Sequence, residues 1–230
     1  MSDFRLAIIG PGKMGNAIGD LAGRSGLEVV AIIGAGSVLD TASLNGADVA
    51  IEFTEPSAAA ANIRACITAG CPVVVGTTGW YDELPQIAAA VAAARGALLW
   101  DANFSLGVHA VAKLVERAGD LAASLRGFDG AIIETHHAGK RDAPSGTARM
   151  LQLRYAVASG CELPITSIRV GAVPGTHQLV LDGAFEQIVI SHEARDRSVF
   201  AEGALVAARW LVGRQGVFTL DDMLAQEGTR

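Results

Sequence analysis

Residues 4 to 15 constrain the fold more tightly than any other stretch. Phe4-Arg5-Leu6-Ala7-Ile8-Ile9 is the kind of apolar run that lies buried in a parallel sheet. It passes directly into Gly10-Pro11-Gly12-Lys13-Met14-Gly15, after which Asn16 to Ala22 reads as a helix. In a Gly-x-Gly-x-x-Gly turn set between strand and helix, the first glycine makes the turn. The second lets a pyrophosphate approach the backbone, and the third lets helix and strand pack closely. With 27 glycines in the chain, glycine-rich turns are common, so the strand–turn–helix setting carries the reading. It predicts a dinucleotide held at Gly10, Pro11, Gly12, Lys13, Met14 and Gly15, with its pyrophosphate at a helix N-terminus.

The alternation continues. Leu27 to Ile33, Asp48 to Phe53, Pro72 to Val75 and Ala97 to Trp100 read as strands, with helices over Ser57 to Ala69 and Leu84 to Arg95. Strands alternating with helices predict a Rossmann-type α/β domain on a parallel sheet. Open sheets of this kind bind ligands at the carboxyl ends of their strands, where Gly76-Thr77-Thr78-Gly79 lies; alone, that segment is also an ordinary turn. An Asp or Glu closing the second strand would bind both ribose hydroxyls, and a basic residue there would accept a 2′-phosphate. The sequence has Gly34-Ala35-Gly36-Ser37 instead, and no Lys or Arg between Arg24 and Arg64. Glu28, Asp40, Asp48, Glu52 and Glu55 fall in that interval, which favours NADH over NADPH, although Lys13 could still serve the extra phosphate.

From residue 106 the pattern changes. Gly107 to Leu125 reads as a long amphipathic helix and Phe128 to Glu134 as a strand; a helix from about Ser145 to Ala158 follows. Ile165 to Val170, Thr176 to Leu181 and Phe185 to Ser191 alternate and are rich in β-branched residues, which predicts antiparallel strands. Asp182-Gly183 is a hairpin signal between the last two. A final helix opens over Asp196 to Ala204 and ends near Gly213. The expected organisation is a dinucleotide-binding domain of residues 1–105 and 210–230, and a smaller α+β domain with a mixed or antiparallel sheet over 106–209. Val180, Leu181, Ile188, Val189 and Ile190 make both faces of that second sheet apolar. One face therefore needs a partner, and a homo-oligomer is expected.

The chemistry concentrates in Glu134-Thr135-His136-His137-Ala138-Gly139-Lys140-Arg141-Asp142-Ala143-Pro144-Ser145-Gly146-Thr147-Ala148. Imidazoles exchange protons near neutral pH, and a lysine supplies a fixed charge or a proton. If the strand reaches them, His136 and His137 point to opposite faces. Pro144 suits the first turn of a helix, where Ser145-Gly146-Thr147 would present backbone N–H groups and two hydroxyls to an anion. A capped helix on a surface loop is the plain alternative; proton donors beside an anion cradle favour chemistry.

The string E-T-H-H-x-x-K-x-D-A-P-S-G-T-A closely resembles the signature of the dihydrodipicolinate (4-hydroxy-tetrahydrodipicolinate) reductases of bacterial lysine and diaminopimelate synthesis. The resemblance implies His136 as general acid/base and Lys140 as a second proton donor or charge stabiliser. It assigns a dicarboxylate substrate to His137, Ser145, Gly146 and Thr147. It also implies cofactor contacts at Phe53, Thr54, Gly76, Thr77 and Thr78, and at Asp101, Ala102, Asn103 and Phe104, which open the A-N-F-S-x-G-V-like segment. A tetramer is implied too. Three positions depart from the family pattern. No acid follows Ile33, His109 replaces a common Asn, and only Ser159 to Pro164 stand where relatives have a long arginine-bearing loop. His109, His177 and His192 are expected to be structural. Two rivals stay open: another two-domain reductase of a small imine or carboxylate, and a non-catalytic dinucleotide sensor.

The net charge of −6 and the lack of a basic cluster argue against nucleic acid. No apolar run reaches the ~18 residues of a membrane span. Cys66, Cys71 and Cys161 lack metal-ligand spacing, so no metal is expected, and reduced thiols point to the cytoplasm. Met1-Ser2-Asp3 leads at once into a strand and lacks the form of a signal peptide.

Overall fold

The computed structural model describes residues 4–125 and 127–227; the expectation for Met1–Asp3 lies outside the described residues. The chain divides into two compact units, Met1–Phe104 with Ser198–Arg230, and Ser105–Arg197.

In the first unit, strands β1 (Phe4–Ile9), β2 (Leu27–Ile33), β3 (Val49–Glu52), β4 (Val73–Val75), β5 (Ala97–Trp100) and β10 (Gly216–Phe218) form one sheet. Its order is β10-β5-β4-β3-β1-β2, and every pairing is parallel. Helices α1 (Lys13–Ala22), α2 (Pro56–Thr68), α3 (Leu84–Ala94), α6 (Ser198–Leu211) and α7 (Leu220–Glu227) belong to the same unit. Covered on both faces, the central strands need no alternation: Leu6, Ala7, Val49, Ala50, Ile51, Val73, Val74, Val75, Leu98 and Leu99 are all fully buried. Each large side chain among them contributes about 1.5–3 kcal/mol of burial. The chain runs from β1 outward to β2 and then returns to β3 on the other side. The ends of β1 and β3 are therefore a topological switch point, where such sheets open a ligand crevice.

The expected domain boundary at 209/210 falls instead at 197/198. Helix α6 packs on α1, β3, β4 and β5 through Ala201, Gly203, Ala204, Leu205, Ala207 and Ala208. A Cβ on Gly203 would stand 1.7 Å from the Phe104 carbonyl, so only glycine permits that approach.

In the second unit, β6 (Asp129–His136), β7 (Ile165–Arg169), β8 (Thr176–Asp182) and β9 (Gln187–Glu193) form a sheet of order β7-β6-β8-β9. The β6–β8 and β8–β9 pairs are antiparallel as expected, but β7 runs parallel to β6. The reason is the connection: α5 (Gly146–Ser159) is a crossover helix between them, and a strand–helix–strand crossover returns the chain in the same direction. The hairpin closes at Asp182 and Gln187, leaving Phe185 in the exposed turn, not in the strand.

Helices α4 (Leu106–Leu121) and α5 pack against each other. Their core with one sheet face includes Val111, Val115, Leu151, Tyr155, Ile132 and Leu179. Register divides the apolar positions between the faces. Leu181 pairs with Ile188 and Leu179 with Ile190 on the helix side, whereas Val180 and Val189 pair on the other. That other face keeps Val189 and Ile168 exposed. No helix among the described residues is long and apolar enough to cross a membrane.

Candidate active site

The fingerprint turn and the loops after β3 and β4 line a cleft of about 340 Å³ in the first unit. Its walls are Gly12, Lys13, Met14, Phe53, Thr54, Pro56, Gly76, Thr77 and Thr78. The glycines divide the work as their spacing predicts. A Cβ on Gly10 would lie 2.1 Å from the Phe53 carbonyl, and one on Gly15 2.1 Å from the Gly10 carbonyl. A Cβ on Gly12 would meet nothing within 4 Å, so the turn is open to a ligand there. Gly12 is also the N-cap of α1 and offers no side-chain cap, which leaves the helix end to an incoming anion. This donor set fits a dinucleotide pyrophosphate.

Below the cleft, Thr77 Oγ1 accepts from the Thr54 N–H at 2.7 Å, and the Trp80 indole donates to the Thr77 carbonyl at 2.8 Å. Thr54 in turn donates to the fully buried carboxylate of Glu52. Two separate loops are thereby fixed to each other. Phe53 stacks edge-on against the buried Phe104 with centroids 5.8 Å apart. Asp101 Oδ1 accepts from the Asn103 N–H at 3.1 Å and Oδ2 from the Leu220 N–H at 3.3 Å; Ala102 is exposed. Asp101–Phe104 thus form a braced turn after β5; none of the four lines the cleft, but Phe104 backs the lining residue Phe53.

The second unit builds its site from side chains. Along β6 the helix-facing positions are Ile132, Glu134 and His136, and on β8 they are Leu181, Leu179 and His177. One half of this face is apolar core; the other half is polar and still buried. Glu134 is fully buried and carries the cluster. One carboxylate oxygen meets His136 Nδ1, and the other accepts from Arg169 at 2.6 Å and from the Ser145 N–H at 3.3 Å. The same Arg169 nitrogen reaches the Asp142 carbonyl at 2.6 Å, tying the loop before α5 to the sheet. His177 lies edge-on to His136 with centroids 5.1 Å apart.

Burial raises the Glu134 carboxyl, but hydrogen bonds from Arg169, Ser167 and His136 outweigh it and hold the value at about 2. Glu134 is thus a fixed anion. Burial pushes His136 below the ordinary imidazole value, Glu134 pulls it back up, and Lys140 and Arg169 add to the depression. His177 is driven to about 4, chiefly by burial. Lys140 Nζ pairs with Asp142 at 2.8 Å and holds that carboxyl below the usual range. Glu134, His136 and His177 bring possible metal-donor atoms within 4.8 Å of one another. Arg169 already neutralises Glu134, and His136 Nδ1 already meets the carboxylate.

Strand β6 ends at His136, which is buried, and His137 follows it into the exposed loop. Pro144 does not enter the helix: α5 starts at Gly146 with Ser145 as N-cap, and the Ala143–Pro144 bond before it is cis. Ser145 is 2% exposed, and both its hydroxyl and its N–H are engaged within the protein. Gly146 is exposed and Thr147 half-buried on the first turn. The sequence motif assigns no role to Glu134 or Arg169, and His177, expected to be structural, lies in the same buried cluster. Their signal was present: a strand whose inward positions switch from Ile132 to Glu134 and His136 buries polar groups that need partners. His109 is buried on α4.

The N-terminal model of dihydrodipicolinate reductase matches residues 4–104 and the C-terminal model residues 107–224. A 4-hydroxy-tetrahydrodipicolinate reductase of Christiangramia forsetii is 33% identical over 236 residues, covering 96% of this chain and 98% of its own. One from Xanthomonas euvesicatoria pv. vesicatoria is 40% identical over 228 residues, covering 93% and 94%. Among solved structures, a dipicolinate-bound dihydrodipicolinate reductase from Paenisporosarcina sp. TG-14 superposes with a TM-score of 0.79 at 24% identity. It covers 94% of this chain and 97% of that one, a likeness of fold. With both halves matched and full-length relatives above 30% identity, this chain belongs to the dihydrodipicolinate reductase family.

Proposed function

We propose that this chain reduces the cyclic imine dicarboxylate derived from 4-hydroxy-tetrahydrodipicolinate to tetrahydrodipicolinate, with NADH or NADPH as reductant. The observation that carries this reading is a protonatable imidazole, His136, on a buried carboxylate next to the start of α5, in a family member with an open fingerprint turn. A nicotinamide cofactor bound there would supply the hydride for the conjugated C4 carbon. Gly10 to Gly15 hold the pyrophosphate, while Phe53, Thr54, Gly76, Thr77, Thr78 and the Asp101–Phe104 turn serve the rest of the cofactor. NADH is favoured, because Gly34-Ala35-Gly36-Ser37 contains no cation.

The chain's own residues manage the proton and the substrate's charge. In neutral His136, Nδ1–H is donated to Glu134 and Nε2 is left as the working atom. On protonation, Glu134 stabilises the imidazolium, and Nε2–H becomes the donor to the electron-rich product. A positioned donor of this kind contributes about 10²–10⁴ in rate. Lys140 supplies a second charge or proton. Gly146 and Thr147, on the first turn of α5, receive one carboxylate, where backbone N–H groups and the helix dipole favour an anion. His137 meets the substrate from the exposed loop.

The exposed sheet face carrying Ile168, Val180 and Val189 supports self-association; the family resemblance implies a homotetramer, and the free thiols of Cys66, Cys71 and Cys161 fit the cytoplasm. Light scattering at micromolar concentration that gave a species of 23.7 kDa, one chain, would refute it. Enzymatically generated 4-hydroxy-tetrahydrodipicolinate tests the activity: NAD(P)H absorbance should fall on its addition. Cofactor binding without oxidation would identify a sensor instead.

A further inference from the structure

His177 is the cross-strand partner of Glu134 on one side and of His192 on the other. It is 5% exposed and lies on the same sheet face as His136. Its Nε2 stands 3.3 Å from Ser145 Oγ. That oxygen is the N-cap of α5 and accepts from the Ala148 N–H at 3.2 Å. A serine hydroxyl has one proton to give. With Oγ accepting from Ala148, its proton and a second lone pair remain, and either completes the bond to His177 Nε2. The other ring nitrogen, Nδ1, is buried without a hydrogen-bond partner among the described residues, so the polar anchoring of the ring falls to Nε2. Burial keeps the ring uncharged near neutral pH. The Ser145 N–H is held independently by Glu134. Ser145 is thus clamped twice, by its backbone to the group that orients His136 and by its side chain to His177.

We propose that His177 is a positioning residue for the dicarboxylate: through Nε2 it fixes the Ser145 hydroxyl and with it the first turn of α5, without touching substrate. Ser145 then acts as the cap of the carboxylate cradle. The inference rests on the function proposed above, because it needs a carboxylate at Gly146 and Thr147.

Two conservative variants separate the ring atoms. The amide of His177→Gln reaches the position of Nε2, whereas that of His177→Asn reaches only the position of Nδ1. Dipicolinate binding by titration calorimetry reads the cradle even without turnover, and steady-state kinetics read the KM values. Losing one oriented hydrogen bond corresponds to about tenfold. His177→Asn and Ser145→Ala should each weaken dipicolinate binding and raise the substrate KM by about that factor, with the NADH KM unchanged. His177→Gln should restore binding to within roughly threefold of wild type, and the Asn/Ala double variant should be no worse than either single one. Unchanged dipicolinate affinity in His177→Asn, a Gln variant as impaired as the Asn variant, or full additivity would overturn the proposal. If His177→Asn does not fold, Ser145→Ala and His177→Gln decide: it fails unless the first weakens binding and the second does not. A wild-type chain that binds dipicolinate but oxidises no cofactor overturns the functional reading and leaves this test intact.

Discussion

The two sheets solve the problem of carrying a site in opposite ways. The first is parallel and covered on both faces, so its central strands are largely apolar, and its cleft lies among the turns beyond their carboxyl ends. The second has one helix-covered face, and it spends half of that face on Glu134, His136, Arg169 and His177. A site made of turns depends on where side chains are absent, as at Gly10, Gly12 and Gly15. A site made of strand side chains depends on register and on satisfying every buried charge. The first should be vulnerable to added atoms, the second to lost ones.

Removing the working groups of the second site should have the largest effect. His136→Gln is expected to lower kcat by about 10²–10⁴ while leaving NADH affinity within experimental error. Lys140→Ala should follow it with a smaller loss of the same kind; stopped-flow and NADH titration report both. Near-normal turnover in either would remove that residue's assignment.

Glu134→Gln comes next, because it leaves Arg169 without its carboxylate and reverses the hydrogen bond to Nδ1. Breaking a buried pair on one side costs about 3–5 kcal/mol, so chemical denaturation should show a loss on that scale along with a reduced kcat. A fully stable Gln variant would mean that Glu134 does not anchor the cluster.

The smallest expected effect concerns pH. Burial depresses His177 to about 4 and lowers His136 as well, both from an ordinary 6.5. Their protonation is therefore easier in the unfolded chain. Stability is full above about pH 6.5 and falls as pH drops toward 4, by about 2 kcal/mol between pH 7 and pH 5. Glu134, held at about 2, adds a second decline only below about pH 4.5. Thermal melts across this range should show the first slope in wild type and a shallower one in His177→Gln. A melting temperature flat from pH 7 to pH 5 would contradict the assignment.

The same contrast explains what the sequence made legible. Strands β1, β2 and β5 read at their observed bounds because strands of a parallel sheet are largely continuous apolar runs closed by turn residues. The fingerprint turn was readable because glycine at fixed spacing is itself the physical requirement. Strand β10 escaped notice because Gly216-Val217-Phe218 is too short to show a period. The direction of β7 depends on the crossover through α5, which no property of its own residues reveals. The motif supplied His136 and Lys140, but Arg169 and His177 join them only through the pairings His136–Arg169 and Glu134–His177. Those are facts of register. The start of α5 is legible to one residue, but Pro144, expected in its first turn, precedes the cap Ser145.

Paired calorimetric titrations of NADH and dipicolinate into wild type, Gly15→Ala and Glu134→Gln test the contrast most directly. A Cβ on Gly15 would fall 2.1 Å from the Gly10 carbonyl, so Gly15→Ala should weaken NADH by more than about tenfold and leave dipicolinate unchanged. Glu134→Gln should do the reverse. Parallel loss of both ligands in both variants, with folding intact, would contradict the separation of a backbone-built cofactor site from a side-chain-built substrate site.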